Sequence, residues 1–220
     1  MRVLVACEMS GRVRDAFIER GHDAVSCDIL PSETPGPHYQ EDVLDIIHRE
    51  SWDLLIGFPP CTYLSDIGNR WIQEEYREYV GRRQAAAKAI QFFLSLWNAP
   101  IEKVCLENPQ MHTYARDLLR PHGLETPTQM VHPYYFGDPY TKRTLLWLRG
   151  LPKLKKTDWF PKPTRPWVGG GGGPWGRPPT KGYKGLPKEA SKLAHPGRGQ
   201  SRRRSLTHPG MAKAMARQWG

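Results

Sequence analysis

Apolar and polar positions fall into alternating blocks along the chain. "RVLVAC" (2–7) is a short apolar run, and in the following "EMSGRVRDAFIERGH" Val13, Phe17 and Ile18 hold helical spacing while Gly21 sits where a helix can be capped. The pattern predicts strand, loop, helix. "DAVSCDI" (23–29) predicts a second strand, "SWDLLIGF" (51–58) a later one and "IEKVCLENP" (101–109) another, each with a polar or acidic residue near its carboxyl end. Between the last two, Glu74 to Asn98 predicts one long helix with Ala86, Ala89, Ile90, Phe93 and Leu94 along one face. "RTLLWL" (143–148) is apolar enough for a further buried strand, and "LTHPGMAKAMARQWG" (206–220) predicts a short amphipathic helix entered through Pro209. Strands alternating with helices imply an α/β fold built on a mostly parallel sheet.

Beyond Leu151 the pattern stops. Prolines recur, "VGGGGGPWGRPP" (168–179) holds five consecutive glycines, and the charges turn almost wholly positive. Residues 1–150 carry 16 Lys and Arg against 20 Asp and Glu, a net of −4, whereas residues 151–220 carry 16 against 2, a net of +14. That asymmetry makes the last third a polyanion-facing region, or else a basic solubilising tail. Trp159, Trp167, Trp175 and Tyr183 are interleaved with the cations, a combination suited to nucleic-acid grooves and exposed bases, or to packing on the main body. No run of 18 apolar residues exists and a strand-like segment begins at residue 2, so neither a membrane span nor a leader is expected, and a cytoplasmic location is. Four cysteines, Cys7, Cys27, Cys61 and Cys105, lie at least 20 residues apart with no CxxC pair, which predicts reduced thiols and no metal.

In an open parallel sheet, ligands bind at the carboxyl ends of the strands. Cys7, Glu8, Met9, Ser10 and Gly11 form the first such loop, Asp28 ends the second strand, and Asp42 ends or follows the third segment. A carboxylate after the second strand suits ribose hydroxyls, although "ACEMSG" lacks GxGxxG spacing and no P-loop lysine follows any strand. Cys61 follows two prolines that fix its backbone, so a rigidly held nucleophile and a small core residue both fit. Glu107 and Asn108 in "CLENP" end the strand expected to neighbour the one leading to Cys61, so a thiol and a carboxylic acid would face one cleft. A carboxyl group there can keep its proton by desolvation and donate it to a ring nitrogen.

These residues carry a resemblance. "FPPC" resembles the proline–cysteine motif of the cytosine-5 DNA methyltransferases, "LENP" their Glu-Asn-Val motif, and "FGDPYTKRTLLWL" (136–148) their segment with a Gln-x-Arg-x-Arg signature. "RRRSLTHPGMAKAMARQWG" resembles the closing helix that returns to the cofactor pocket, and the chain is most similar to the small phage-type members. The resemblance covers nearly the whole chain outside about 151–200. It implies a Rossmann-like S-adenosylmethionine-dependent fold with helices on both faces of the sheet. Residues 1–150 would form the catalytic and cofactor domain, 151–200 a small basic target-recognition region, and 201–220 the returning helix.

The implied reaction is methyl transfer to C5 of a cytosine flipped out of double-stranded DNA, leaving S-adenosylhomocysteine. Cys61 would attack C6, Glu107 would hold N3, and Asn108 would organise the Cys61 loop. Cys7 to Gly11, Asp28, Asp42, Phe58, Pro59 and Thr207 would line the cofactor site. Arg70 and Trp71, on the loop closing over DNA, would be candidates to fill the gap left by the flipped base, with packing at a helix start the alternative for Trp71, and Arg202, Arg203 and Arg204 would contact DNA phosphates. Two departures stand out: the first loop has only Gly11 where the family has Phe-x-Gly-x-Gly, and the signature arginines fall on Lys142 and Thr144. Arg143 is one position out of register, so Lys142 and Arg143 would face opposite ways. The resemblance implies a monomer in a prokaryotic or phage-infected cell. The short recognition region leaves RNA, single-stranded DNA or a modified or free cytosine nucleotide as alternative substrates. A catalytically silent DNA-binding homologue is the alternative of another class.

Overall fold

Strands Arg2–Ala6 (β1), Asp23–Cys27 (β2), His38–Tyr39 (β3), Leu54–Gly57 (β4), Lys103–Asn108 (β5), Gln129–Val131 (β6) and Thr144–Arg149 (β7) form one sheet in the order β3-β2-β1-β4-β5-β7-β6. The computed structural model describes residues 1–66, 79–138, 141–158 and 206–220. The five strands from β3 to β5 run parallel, and β7 inserts antiparallel between β5 and β6. Helices Arg12–Ile18 (α1), Val43–Arg49 (α2), Tyr79–Trp97 (α3), Thr113–Leu119 (α4) and Pro209–Trp219 (α5) cover both faces. This is the Rossmann-like α/β fold, a mostly parallel sheet with helices on both faces, that the sequence led us to expect.

The two faces are read off β1 by its period of two. Val3 and Val5 pack with Val13, Ala16 and Phe17 of α1 and with Met211, Ala212 and Met215 of α5. Leu4 and Ala6 point the other way, into Ile46 of α2, Ile90, Phe93 and Leu96 of α3, and Ala115 and Leu119 of α4. Because both faces are covered, β1 and β4 are continuous apolar runs rather than alternating ones.

The α1 helix ends where Gly21, at φ +81°, turns left-handed: Gly21 N–H donates to the Ile18 carbonyl and His22 N–H to that of Phe17. Ile18, expected on the apolar face, is instead largely exposed, because α1 shows the sheet only the stripe of Val13, Ala16 and Phe17. The described part of the long helix starts at Tyr79, and the stretch from Glu74 to Glu78 lies outside the described residues. Its apolar face is the expected one, with Ala86, Ile90 and Phe93 buried and Leu96 added to it.

The closing helix enters through Pro209 at its first position and lies along α1. Residues 151–158 continue the body. Trp219 Nε1 donates to the Pro152 carbonyl at 2.9 Å, and Gln218 brackets the Lys155 backbone at 2.7 and 2.8 Å. Residues 159–205, which hold most of the basic stretch, lie outside the described residues. Among the described residues no helix is long and apolar enough to cross a membrane, and no cluster of His, Cys, Asp and Glu is arranged to hold a metal ion.

Candidate active site

Parallel pairing sets the loops after β2, β1, β4 and β5 side by side at one edge of the sheet. Ala6 pairs with Cys27 on one side and with Gly57 on the other, and Gly57 pairs with Leu106. Asp28, the Cys7–Gly11 loop, the Phe58–Cys61 loop and the pair Glu107–Asn108 therefore follow in a row. This is the edge at which an open α/β sheet binds its ligand.

Cys61 is held from both sides. Phe58 N–H still reaches the Ala6 carbonyl at 3.0 Å, and the buried Asn108 side chain donates from Nδ2 to the Pro59 carbonyl at 2.9 Å. The Cys61 carbonyl accepts from Leu64 and Ser65, opening a turn that is stitched to the segment after β5 by Asp66 N–H to Gln110 and His112 N–H to Leu64. Cys61 itself remains partly accessible, unlike Cys27 and Cys105. Burial pushes its thiol above the ordinary range and the nearby Glu107 adds to the rise, while the Lys142 ammonium acts against it. Glu107 is buried, and desolvation raises its carboxyl as well, again opposed by Lys142. Lys142 Nζ lies 4.0 Å from Glu107 Oε1. A thiol, a carboxyl group tending to keep its proton and an ammonium thus share one cleft.

Arg143 does not join them. It is exposed and interacts with Asp66 on the loop beyond Cys61, while Thr144 next to it is buried in β7. Lys142 enters the cleft and Arg143 stays outside it, although both precede β7, which begins at Thr144.

In the first loop Cys7 adopts φ +56°, and burial together with Asp28, Cys27 and Asp42 raises its thiol far above the ordinary range. Glu8 is buried and accepts from the Ser10 hydroxyl; burial raises its carboxyl group, against Ser10 and the nearby backbone N–H groups of Val13 and Arg12 at the start of α1. Its Oε2 has no hydrogen-bond partner among the described residues, a buried acceptor suited to a cationic group. Ser10 and Gly11 are buried beside it and Met9 is half-buried. Asp28 Oδ1 accepts from Leu30 N–H at 2.9 Å, and Asp42 caps α2 by accepting from Leu44 N–H at 2.9 Å. Ile29, next to Asp28, is 74% exposed and offers an apolar surface at the same edge.

The C-terminal segment arrives at this site. Thr207 is buried and its carbonyl accepts from Arg12 Nη1 at 3.0 Å. His208, which the sequence did not single out, is buried within the fields of Lys142 and Arg12, and its imidazole is held down to about 3. Asp138 accepts from Gly210 N–H at 3.0 Å and so fixes the start of α5. The only sequence signal for His208 is its place between Thr207 and Pro209. Phe58 is half-buried and Pro59 buried, both at the end of β4. Arg70, Trp71, Arg202, Arg203 and Arg204 lie outside the described residues.

No protein-family profile matches the chain, and no curated protein does. Among solved structures it is similar to one described as a DNA modification methyltransferase encoded within an E. coli prophage, with a TM-score of 0.44 and 16% identity over 67% of this chain and 46% of that one. It is also similar to a triple-substituted DNMT2 of Spodoptera frugiperda, with a TM-score of 0.36 and 14% identity over 67% of this chain and 49% of that one. The chain spans about half the length of these two structures.

Proposed function

We propose that the protein methylates C5 of cytosine in DNA with S-adenosylmethionine, through a covalent bond between Cys61 and C6 of a flipped base. The observation that carries this reading is the meeting of Cys61, Glu107 and Lys142 in one cleft, Cys61 on the loop after β4, Glu107 at the end of the adjacent parallel β5 and Lys142 just before the antiparallel β7.

C5 of cytosine is too electron-poor to react unaided, so the chemistry needs a nucleophile at C6 and an acid at N3. Cys61 attacks as the thiolate, its proton leaving to solvent, and the sulfur–C6 bond forms. Glu107, whose carboxyl group burial shifts toward its protonated form, donates to N3, so negative charge does not build up on the ring. Lys142 faces the same carboxyl group and is positioned to balance charge on the base, the role that falls to an arginine in the family signature. Asn108 holds the Pro59 carbonyl and with it the approach angle of the thiol. Once C5 carries the methyl group its proton passes to solvent, the C6–sulfur bond breaks to restore the thiolate, and N3 returns its proton to Glu107.

The residues of the first loop fit the cofactor. The Glu8 oxygen that lacks a partner suits the ammonium of its methionine end, Asp28 suits ribose hydroxyls, and the exposed Ile29 suits the adenine face. S-adenosylmethionine supplies a methyl group on a sulfonium. Asp42, capping α2, lies close enough to Cys7 to extend the acidic side of this pocket.

The test is incubation with duplex DNA and methyl-labelled S-adenosylmethionine, with single-stranded DNA and RNA competing at fixed salt. Label at cytosine C5 that disappears in Cys61→Ser supports the proposal. Absence of transfer to any cytosine substrate overturns it, and preference for RNA or single strands moves the substrate class.

A further inference from the structure

Arg14 is fully buried in the first helix, a position where a charge is costly unless every donor is used. Its guanidinium uses them. Nε donates to Asp15 at 2.8 Å, and Nη1 to the hydroxyls of Ser26 and Ser32 at 3.2 Å each and to the Pro37 carbonyl at 3.4 Å. Nη2 donates to the Thr34 hydroxyl and the Pro35 carbonyl, both at 2.9 Å. Four of the six acceptors belong to the single loop Ser32–Pro37, which follows Asp28 and Ile29.

That loop also clasps the first loop directly. Glu33 N–H donates to the Met9 carbonyl at 2.7 Å and the Thr34 hydroxyl to the Ser10 carbonyl at 3.2 Å. Two glycines leave room for the guanidinium. A Cβ on Gly11 would lie 2.4 Å from Arg14 Nη2, and one on Gly36 would lie 2.7 Å from the same atom, with φ +142° at Gly36 disfavouring a side chain in any case. Arg14, in the helix that continues the Cys7–Gly11 loop, therefore anchors the Ser32–Pro37 loop, and that loop in turn clasps the Cys7–Gly11 loop through Glu33 and Thr34. A planar fork with five N–H groups can fill this role, and a lysine with one nitrogen cannot.

We infer that Arg14 is a positioning residue for the nucleoside end of the cofactor site: it holds the Asp28–Pro37 loop against the Cys7–Gly11 loop and so preorganises the pocket between them. This rests on the reading that S-adenosylmethionine binds at that edge. Without the anchor, binding must order the loop first, at a cost on the scale of one or two immobilised side chains, about tenfold in affinity.

The test uses the full chain and S-adenosylhomocysteine as probe, with calorimetry for its affinity, duplex-DNA affinity in parallel, and hydrogen exchange across residues 29–37. Arg14→Lys and Arg14→Met are expected to weaken S-adenosylhomocysteine about tenfold or more, speed exchange in that loop, and leave DNA affinity within about twofold. Gly36→Ala displaces the guanidinium without removing it and is expected to give the same split. It also decides the matter if Arg14→Met fails to fold. Unchanged S-adenosylhomocysteine affinity in folded variants overturns the inference while leaving the methyltransferase reading intact. So does a parallel loss of both affinities, which would mark general destabilisation. Failure of the wild type to bind S-adenosylhomocysteine overturns the reading itself and the inference with it.

Discussion

The Lys142 ammonium stands 4.0 Å from the Glu107 carboxyl group, reaching it from the segment before β7, the strand that pairs antiparallel with β5. It opposes the effect of burial on both Glu107 and Cys61, lowering the two acids that the same cleft raises. The one-residue offset that carries Arg143 out of the cleft thus leaves a cation at the carboxyl group.

Removing that cation should be visible in the pH profile. In Lys142→Met, Glu107 rises further, so the alkaline limb of activity that depends on its protonated form moves to higher pH. Turnover should fall about 10²-fold, the scale of losing one donor where charge develops. Lys142→Arg should keep most of the rate and the wild-type limb. A pH–rate profile that does not move in Lys142→Met would separate Lys142 from Glu107.

The state of the Cys61 thiol can be followed without turnover. Burial and Glu107 hold it up, so alkylation by iodoacetamide should be slow at pH 7 and climb above the ordinary thiol range of about 8.5. Glu107→Gln should speed alkylation at pH 8 and Lys142→Met should slow it, because the two charges act on the thiolate with opposite signs. Peptide mapping by mass spectrometry separates the label on Cys61 from any on Cys7, the other partly accessible thiol, while Cys27 and Cys105 are buried. Equal rates in the two variants would rule out this electrostatic coupling.

The strands that build the site were legible because they are buried on both faces and so appear as continuous apolar runs, and parallel pairing then makes neighbours of Cys61 and Glu107. β3 and β6 escaped, since two and three residues are too short to show any period. So did α2 and α4, each seven residues long, the second entered through an unusual His112 cap. Arg14 was illegible for a different reason. Four of its six acceptors lie 18 to 23 residues further along, two of them backbone carbonyls that carry no side-chain signature. His208 becomes noticeable only when α5 folds back beside Lys142 and Arg12.

Asn108 ties β5 to the Cys61 loop through one buried hydrogen bond to the Pro59 carbonyl. Asn108→Ala leaves that carbonyl without its donor and should cost about 1–3 kcal/mol of stability. Thermal melting checks this, at about 2–4 °C per kcal/mol for a chain of this size. The larger effect should be on turnover, because the thiol loses its fixed approach, while S-adenosylhomocysteine affinity stays unchanged. A loss confined to cofactor affinity would show that Asn108 serves the other half of the site.

Two groups at the return of the C-terminal segment pull the acid stability in opposite directions. Burial, with Lys142 and Arg12 pushing the same way, holds His208 down to about 3 from an ordinary 6.5. Its contribution is complete above pH 6.5 and is lost as pH falls toward 3, because only the unfolded chain takes up the proton. Burial raises Asp138 from 3.8 to about 6, against the N–H groups of Gly210 and Met211 and the Arg12 cation. Its contribution is complete below pH 3.8 and is lost as pH rises through 6, because there the unfolded chain has already released the proton. Between pH 3.8 and 6 the two nearly cancel, one proton each way, and the net loss comes from the window between about 6 and 6.5, where the unfolded chain takes up the His208 proton before Asp138 compensates. Wild-type stability should therefore fall on acidification from pH 6.5 to 4.5. His208→Gln should turn that fall into a rise, because Asp138 then acts alone, and Asp138→Asn should steepen the fall while raising stability at pH 7. Urea midpoints at pH 4.5, 5.5 and 7 test all three. A wild-type slope in His208→Gln would show that the acid sensitivity arises elsewhere.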